Sequence, residues 1–240
     1  MNFGLIPDSP DSRDIMMSSL MAPVSIPIKI DLREYMGPVR SQGQEGVCGG
    51  MAAAGMKENQ EWRESLEYKQ LSPRYIYEMS RVIEPQRGEG TSLRALVKAL
   101  HQFGICEEKF WPYKEGGGSP LKPGADENAK INRISGYVLL EKLEGVIESI
   151  VVNGPCIMGM NITPEWYNIP TDGMMKKVRS NAHIFGKHAI VGVGFDRSER
   201  LFLVRNSWGP MWGRGGYAWI PFQSIIGQMC GAWSATDLLQ

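Results

Sequence analysis

The stretch "EGGGSPLKPGADENAK", residues 115–130, divides the sequence into two halves with different periodicities, and that change constrains the fold more than any other feature. Before it, apolar residues recur at helical spacing. From Cys48 a helix is expected through about Tyr68, with Met51, Ala52, Met56 and Trp62 on an inner face. Ser72 followed by Pro73 reads as a cap and first turn for "RYIYEMSRVI". Leu93, Leu96, Val97 and Leu100 fall at i, i+3, i+4 and i+7 after Ser92, and Gly104 closes that helix. After the crossing, one helix is expected at about Leu139 to Val152. The short runs "CIMGMNI", "HAIVGVGF", "LFLVRNSW" and "GYAWI" follow, bounded by glycine, proline and aspartate as antiparallel strands are. The expected architecture is α+β: a helical lobe over residues 31–122 packed on a β-rich lobe over 123–240, with a cleft between. Residues 1–30 are broken by Pro7, Pro10, Pro23 and Pro27 and read as an extended arm lying on the body rather than in its core.

Composition removes several function classes. The 240 residues are 42% hydrophobic and carry 26 basic and 26 acidic side chains, so a core is affordable and no charge excess draws the chain to nucleic acid or anionic lipid. No run approaches the roughly 18 apolar residues of a spanning helix. The first residues place Asp8, Asp11 and Asp14 where a secretory signal needs positive charge, so an unexported, cytoplasmic product is the default expectation. Four cysteines, Cys48, Cys106, Cys156 and Cys230, show no paired spacing, which argues against a disulfide framework. No CxxC occurs, and His183 and His188 lie five apart, matching neither helix nor strand facing; no metal and no cofactor is expected.

The chemistry centres on "SQGQEGVCGG". A thiol is a useful nucleophile near neutral pH when its thiolate is stabilised, and a helix start with a nearby imidazolium does this. Cys48 stands at the expected helix start, among glycines that leave backbone amides uncovered, with the Gln42 amide six residues earlier. On this segment alone a small buried thiol is an equal reading. Of three histidines, His101 reads as solvated and His183 as an exposed loop residue. His188 opens an apolar strand where a cleft should begin, and Asn206 follows the next strand, 18 residues on, where its side-chain oxygen can fix the imidazole tautomer. Trp208 can cover that bond, while Trp212 reads as core.

In that order, "PVRSQGQEGVC", "KHAIVGVGF" and "NSWGPMWGRGGYAWI" resemble the active-site blocks of papain-like cysteine peptidases. The resemblance spans residues 4–221 and is nearest to compact bacterial and viral members without a large pro-domain. It implies a papain-like two-lobed fold and a cysteine endopeptidase acting on polypeptide. Within it, Cys48 is the nucleophile, His188 the acid/base, Asn206 its orienter, Gln42 the oxyanion donor and Trp208 a shield. Gly90 would pair with substrate backbone, and Cys156 and Ala189 would lie near the pocket for the second residue before the scissile bond. A peptide-binding pseudoenzyme, an acyl-transferase or ligase on the same fold, and a purely structural subunit remain open alternatives. The sequence departs from the family at Gly49, where an aromatic residue is usual and its loss should open space beside the sulfur. It departs again at Glu45, where a disulfide cysteine is usual, and at Lys187, whose charge would lower the His188 pKa if it pointed inward. About 40 residues precede Gln42, and the hypothesis is that the arm lies across or beside the cleft and limits access.

Overall fold

The computed structural model describes residues 3–19 and 24–236. In chain order the elements are β1 (Leu5–Ile6), β2 (Lys29–Asp31), α1 (Cys48–Ser65), α2 (Pro73–Ile83), β3 (Thr91–Ser92), α3 (Leu93–Gln102), α4 (Ala125–Ile131), β4 (Gly136–Leu139), α5 (Leu143–Val152), β5 (Cys156–Ile162), α6 (Pro164–Tyr167), β6 (Gly186–Asp196), β7 (Leu201–Arg205), β8 (Tyr217–Pro221), α7 (Phe222–Gln228) and β9 (Met229–Thr236). The helix starts follow local chemistry. Ser72 accepts the Tyr75 N–H at 3.1 Å with Pro73 in the first turn, and Ser92 accepts the Ala95 N–H at 3.1 Å. By contrast α1 begins after Val47 with no capping side chain, so its first N–H groups are not consumed by a local cap.

A seven-stranded sheet runs β4-β9-β5-β6-β7-β8, with β2 added to β6, and every pairing in it is antiparallel. Strand alternation sends side chains to two cores. Ile157, Ala189, Val191 and Val193 face α1, α2 and α3 in one, while Cys156, Met158, Met160, Ile162 and Ile190 face α5 and α7 in the other. The first core contains Ala52, Ala53, Met56, Leu96 and Leu100 from the helices, so α1 lies directly against the sheet face that carries β6. That contact brings the start of α1 beside the start of β6.

Two expectations shift. The helix expected from Leu139 starts instead at Leu143, because residues 136–139 pair with β9 as a strand. The arm also contributes to the cores: Leu5 and Met17 are buried, and β1 pairs in parallel with β3. Part of that arm, residues 1–2 and 20–23, lies outside the described residues. No described helix is long and apolar enough to cross a membrane.

Candidate active site

Cys48 is the first residue of α1 and fully buried. Burial pushes its thiol pKa up; the N–H groups of Ala189, Gly4, Gly49 and Cys48 itself oppose that rise without cancelling it. His188 lies in β6, also fully buried. Its Nε2 sits 2.8 Å from Asn206 Oδ1, a geometry in which Nε2–H donates to the carboxamide. That leaves His188 Nδ1 buried and without a hydrogen bond. Burial lowers the His188 pKa to about 4, with the Asn206 bond acting in the opposite direction. Lys187 is not among the causes of the shift; its charge instead acts on Cys230, so the lowering expected from an inward lysine has burial as its source. In this state the proton belongs on sulfur and the imidazole is neutral.

Asn206 is held by its neighbour: Oδ1 also accepts the Ser207 N–H at 2.7 Å. The Trp208 ring covers His188 at 4.9 Å between centroids, and Tyr167 stacks on Trp208 at 5.4 Å and 14°. Trp212 stacks on Trp166 at 6.0 Å and donates to its carbonyl at 2.8 Å, which is packing rather than chemistry.

Gln42 is fully buried, and its orientation is fixed through both ends of its amide. Oε1 accepts the Ser207 hydroxyl at 2.7 Å, while one Nε2–H donates to the Glu45 carbonyl at 2.9 Å. A primary amide carries two N–H groups, so one donor remains for a ligand oxygen. Ser207 was not singled out from sequence, although it sits inside the same "NSWG" block as Asn206.

The groove between α1 and β6 is occupied by the chain's own residues 3–6. Gly4 lies at the sulfur, and the Thr91 N–H donates to the Gly4 carbonyl at 2.9 Å. A Cβ on Gly90, at φ +111°, would lie 2.9 Å from that carbonyl and 3.4 Å from Ile6, so glycine is required for the strand to approach. Phe3 rests against Gly186, with its ring edge-on to His188 at 6.4 Å. On the other side of the sulfur, Leu5 sits where a Cβ on Gly159 would come within 2.6 Å of it. Asp8 then accepts from the Arg94 N–H at 3.0 Å and the Trp233 indole at 2.7 Å, and Asp14 pairs with Arg94.

Ala189 pairs in register with Gly159, beside Leu5. Cys156 does not lie there: it pairs with Gly192 on the opposite sheet face, and burial pushes its thiol up to about 12. Strict alternation along "CIMGMNI" puts Gly159, not Cys156, on the cleft side, a signal present in the sequence. The space expected beside Gly49 is also filled. A Cβ there would lie 2.8 Å from Leu96 and 2.9 Å from Thr91, so aliphatic side chains occupy the volume an aromatic neighbour would need. His101 is exposed and edge-on to Tyr137, and His183 is edge-on to Phe185; neither joins the site.

A helix-borne thiol set against a sheet-borne imidazole and carboxamide across a groove is the arrangement of a cysteine hydrolase. The family profile described as papain family cysteine protease matches residues 26–236, and the chain belongs to that family. It is similar in structure to xylellain, a cysteine protease from Xylella fastidiosa, with TM-score 0.81 and 27% identity over 98% of this chain and 96% of that one. In sequence it is 24% identical to an uncharacterized peptidase C1-like protein of Acanthamoeba polyphaga mimivirus, covering 93% of this chain and 82% of that protein. It is 29% identical to cathepsin J of Mus musculus over 81% of this chain, and spans 60% of the cathepsin's length.

Proposed function

We propose that the chain is a cysteine endopeptidase whose groove is held closed by residues 3–6. The observation that carries the reading is the buried His188–Asn206 bond, which leaves Nδ1 as the only unengaged imidazole nitrogen, next to the residue whose N–H meets the Cys48 sulfur. With the groove open to water, the desolvation that keeps both groups neutral is relieved, and the proton can move from Cys48 to Nδ1. The thiolate then attacks an amide carbonyl, and the free Gln42 N–H and the Cys48 N–H receive the oxyanion, an interaction worth about 3 kcal/mol in comparable sites. His188 protonates the leaving amine and next activates the water that hydrolyses the acyl-enzyme. Throughout, Asn206 holds the ring and Trp208 keeps water from the bond.

The endo mode of cleavage rests on the arm. Polypeptide lies on both sides of the sulfur, Phe3 on one and Leu5 with Ile6 on the other, so the groove accommodates an extended chain running past the nucleophile. A pseudoenzyme would need no surviving imidazole–carboxamide geometry, and an acyl-transferase would need an amine acceptor in place of water. The test uses a variant lacking residues 1–7, in which the groove is open: alkylation by iodoacetamide at pH 6, located by mass spectrometry, together with hydrolysis of a quenched peptide library. Labelling of Cys48 well ahead of Cys106, slowed in His188→Ala, with cleavage lost in Cys48→Ser, supports the proposal. Equal labelling of the two thiols refutes it.

A further inference from the structure

The loop from Gln42 to Gly46 carries the oxyanion donor and leads into the nucleophile, yet no covalent link holds it: Cys48, Cys106, Cys156 and Cys230 are all free thiols. Glu115 accepts the Gln44 N–H and Glu89 the Gly46 N–H at 2.8 Å, and between those two contacts the loop is tied down by a buried ion pair. Arg74, in the first turn of α2, donates from Nη2 to Glu45 Oε2 at 2.6 Å, with the two side chains 5% and 11% exposed. Oε2 of Glu45 also takes the Gly116 N–H at 3.2 Å and lies 3.3 Å from the Tyr113 hydroxyl. Arg74 is itself pinned, by Nη1 to Glu78 at 3.1 Å, by Nη2 to the Lys114 carbonyl at 3.2 Å, and by the Tyr113 ring 5.4 Å from its guanidinium carbon.

The pair bears on chemistry because of what the rest of Glu45 does. Its backbone carbonyl is the acceptor that engages one Gln42 Nε2–H, and the Tyr113 hydroxyl donates to the Gln42 carbonyl at 2.7 Å. Two groups fastened to Arg74 therefore fix the two ends of Gln42. Burial alone would raise the Glu45 pKa, but the Arg74 bond and charge, with the Gly116 and Tyr113 contacts, bring it below the usual carboxylate range, so the pair stays ionised at neutral pH. Taking two charges out of water is a poor way to gain stability, which leaves fixed geometry as the better account of the pair.

We propose that Arg74 and Glu45 are positioning residues that aim the free Gln42 N–H at the oxyanion, in the place of a covalent brace. This rests on the peptidase reading above. Two reactions of the same thiol separate aim from access: alkylation by iodoacetamide needs access and thiolate, whereas peptide hydrolysis also needs the oxyanion donors. In the full chain, Glu45→Gln should lower kcat by about tenfold with KM and the alkylation rate nearly unchanged, and weaken a peptide aldehyde by the same factor. Combining it with Gln42→Ala should add almost no further loss, because both changes act through one amide. Arg74→Lys, a milder change that keeps a positive charge beside Glu45 but cannot reach Glu78 and the Lys114 carbonyl at the same time, should show the same pattern at about threefold and serves where Glu45→Gln does not fold. Equal loss of hydrolysis and alkylation, or additive losses with Gln42→Ala, would show a merely structural role and overturn the proposal. If Gln42→Ala alone leaves hydrolysis intact, the oxyanion assignment fails first, and the two failures are told apart.

Discussion

Gly4 lies so close over Gly46 that a Cβ on Gly4 would collide with the Gly46 carbonyl. Residues 3–6 stay in the groove only because one of them has no side chain at the sulfur. Gly4→Val should therefore expel the arm and speed both alkylation of Cys48 and peptide hydrolysis, in the direction of deleting residues 1–7. Unchanged rates in both variants would mean that the arm does not gate the site.

Proton linkage gives the arm a pH dependence. With the groove closed, His188 has a pKa of about 4 against 6.5 for an unperturbed imidazole. Between those values the open state binds more protons, so falling pH favours opening, by up to about 1.4 kcal/mol, or tenfold, per pH unit. The effect should begin as pH drops through 6.5 and level off near 4. Burial raises the Cys48 thiol, so alkaline pH favours opening as well. Protection of the Leu5 and Ile6 amides, taken relative to the intrinsic exchange rate at each pH, should be greatest near neutrality and fall toward pH 5.

Asn206→Ala would leave the buried His188 Nε2–H without an acceptor, a loss worth about 1–3 kcal/mol. Hydrolysis should fall roughly tenfold to a hundredfold. Asn206→Asp, which keeps the acceptor, should recover part of it, and unchanged hydrolysis in Asn206→Ala would show that Asn206 has no orienting role.

At Gly49, the contacts with Leu96 and Thr91 turn a change near the nucleophile into one of packing. Gly49→Ala should destabilise the fold by about 1–3 kcal/mol through overpacking, read as a lower denaturation midpoint at unchanged slope. Leu96→Ala should relieve part of that cost in the double variant. Additive destabilisation would contradict the contact.

Beside Trp208, the exposed rings of Tyr167 and Phe185 meet edge-on at 5.7 Å, on the same side of the sulfur as Phe3. On the peptidase reading, such a pair would offer a platform to an apolar side chain just after the scissile bond. Tyr167→Ala should raise KM about two- to tenfold for substrates with Phe there, with kcat little altered. An equal change for substrates with Gly at that position would rule out the platform.

Much of this was legible in the residues because it depends on local chemistry. Ser72 with Pro73, and Ser92, mark helix starts by side chains that bond the next turn, and "CIMGMNI" coincides with β5. Asn206 could be matched to His188 because both open or close apolar strands. Other features are set by contacts distant in sequence. The β9 strand, Met229–Thr236, is stabilised by pairing with β4 and β5 and carries no clear alternation of its own. The aromatic missing at Gly49 looked like vacant space because the sequence does not show that Leu96 and Thr91 fill it. Cys156 was assigned to the pocket by resemblance, although the two-residue period along its own strand points it the other way.

The bond from Trp233 to Asp8 has a consequence for the order in which this protein is made. Residues 3–8 leave the ribosome before Cys48, whereas Gly159, His188 and Trp233, which they contact, come later. The groove cannot close until the sheet is laid down, and by then the occupying segment has already been synthesised. Synthesis therefore does not complete the site before the segment that occupies it exists, and the thiol is uncovered to the extent that the arm lifts afterwards.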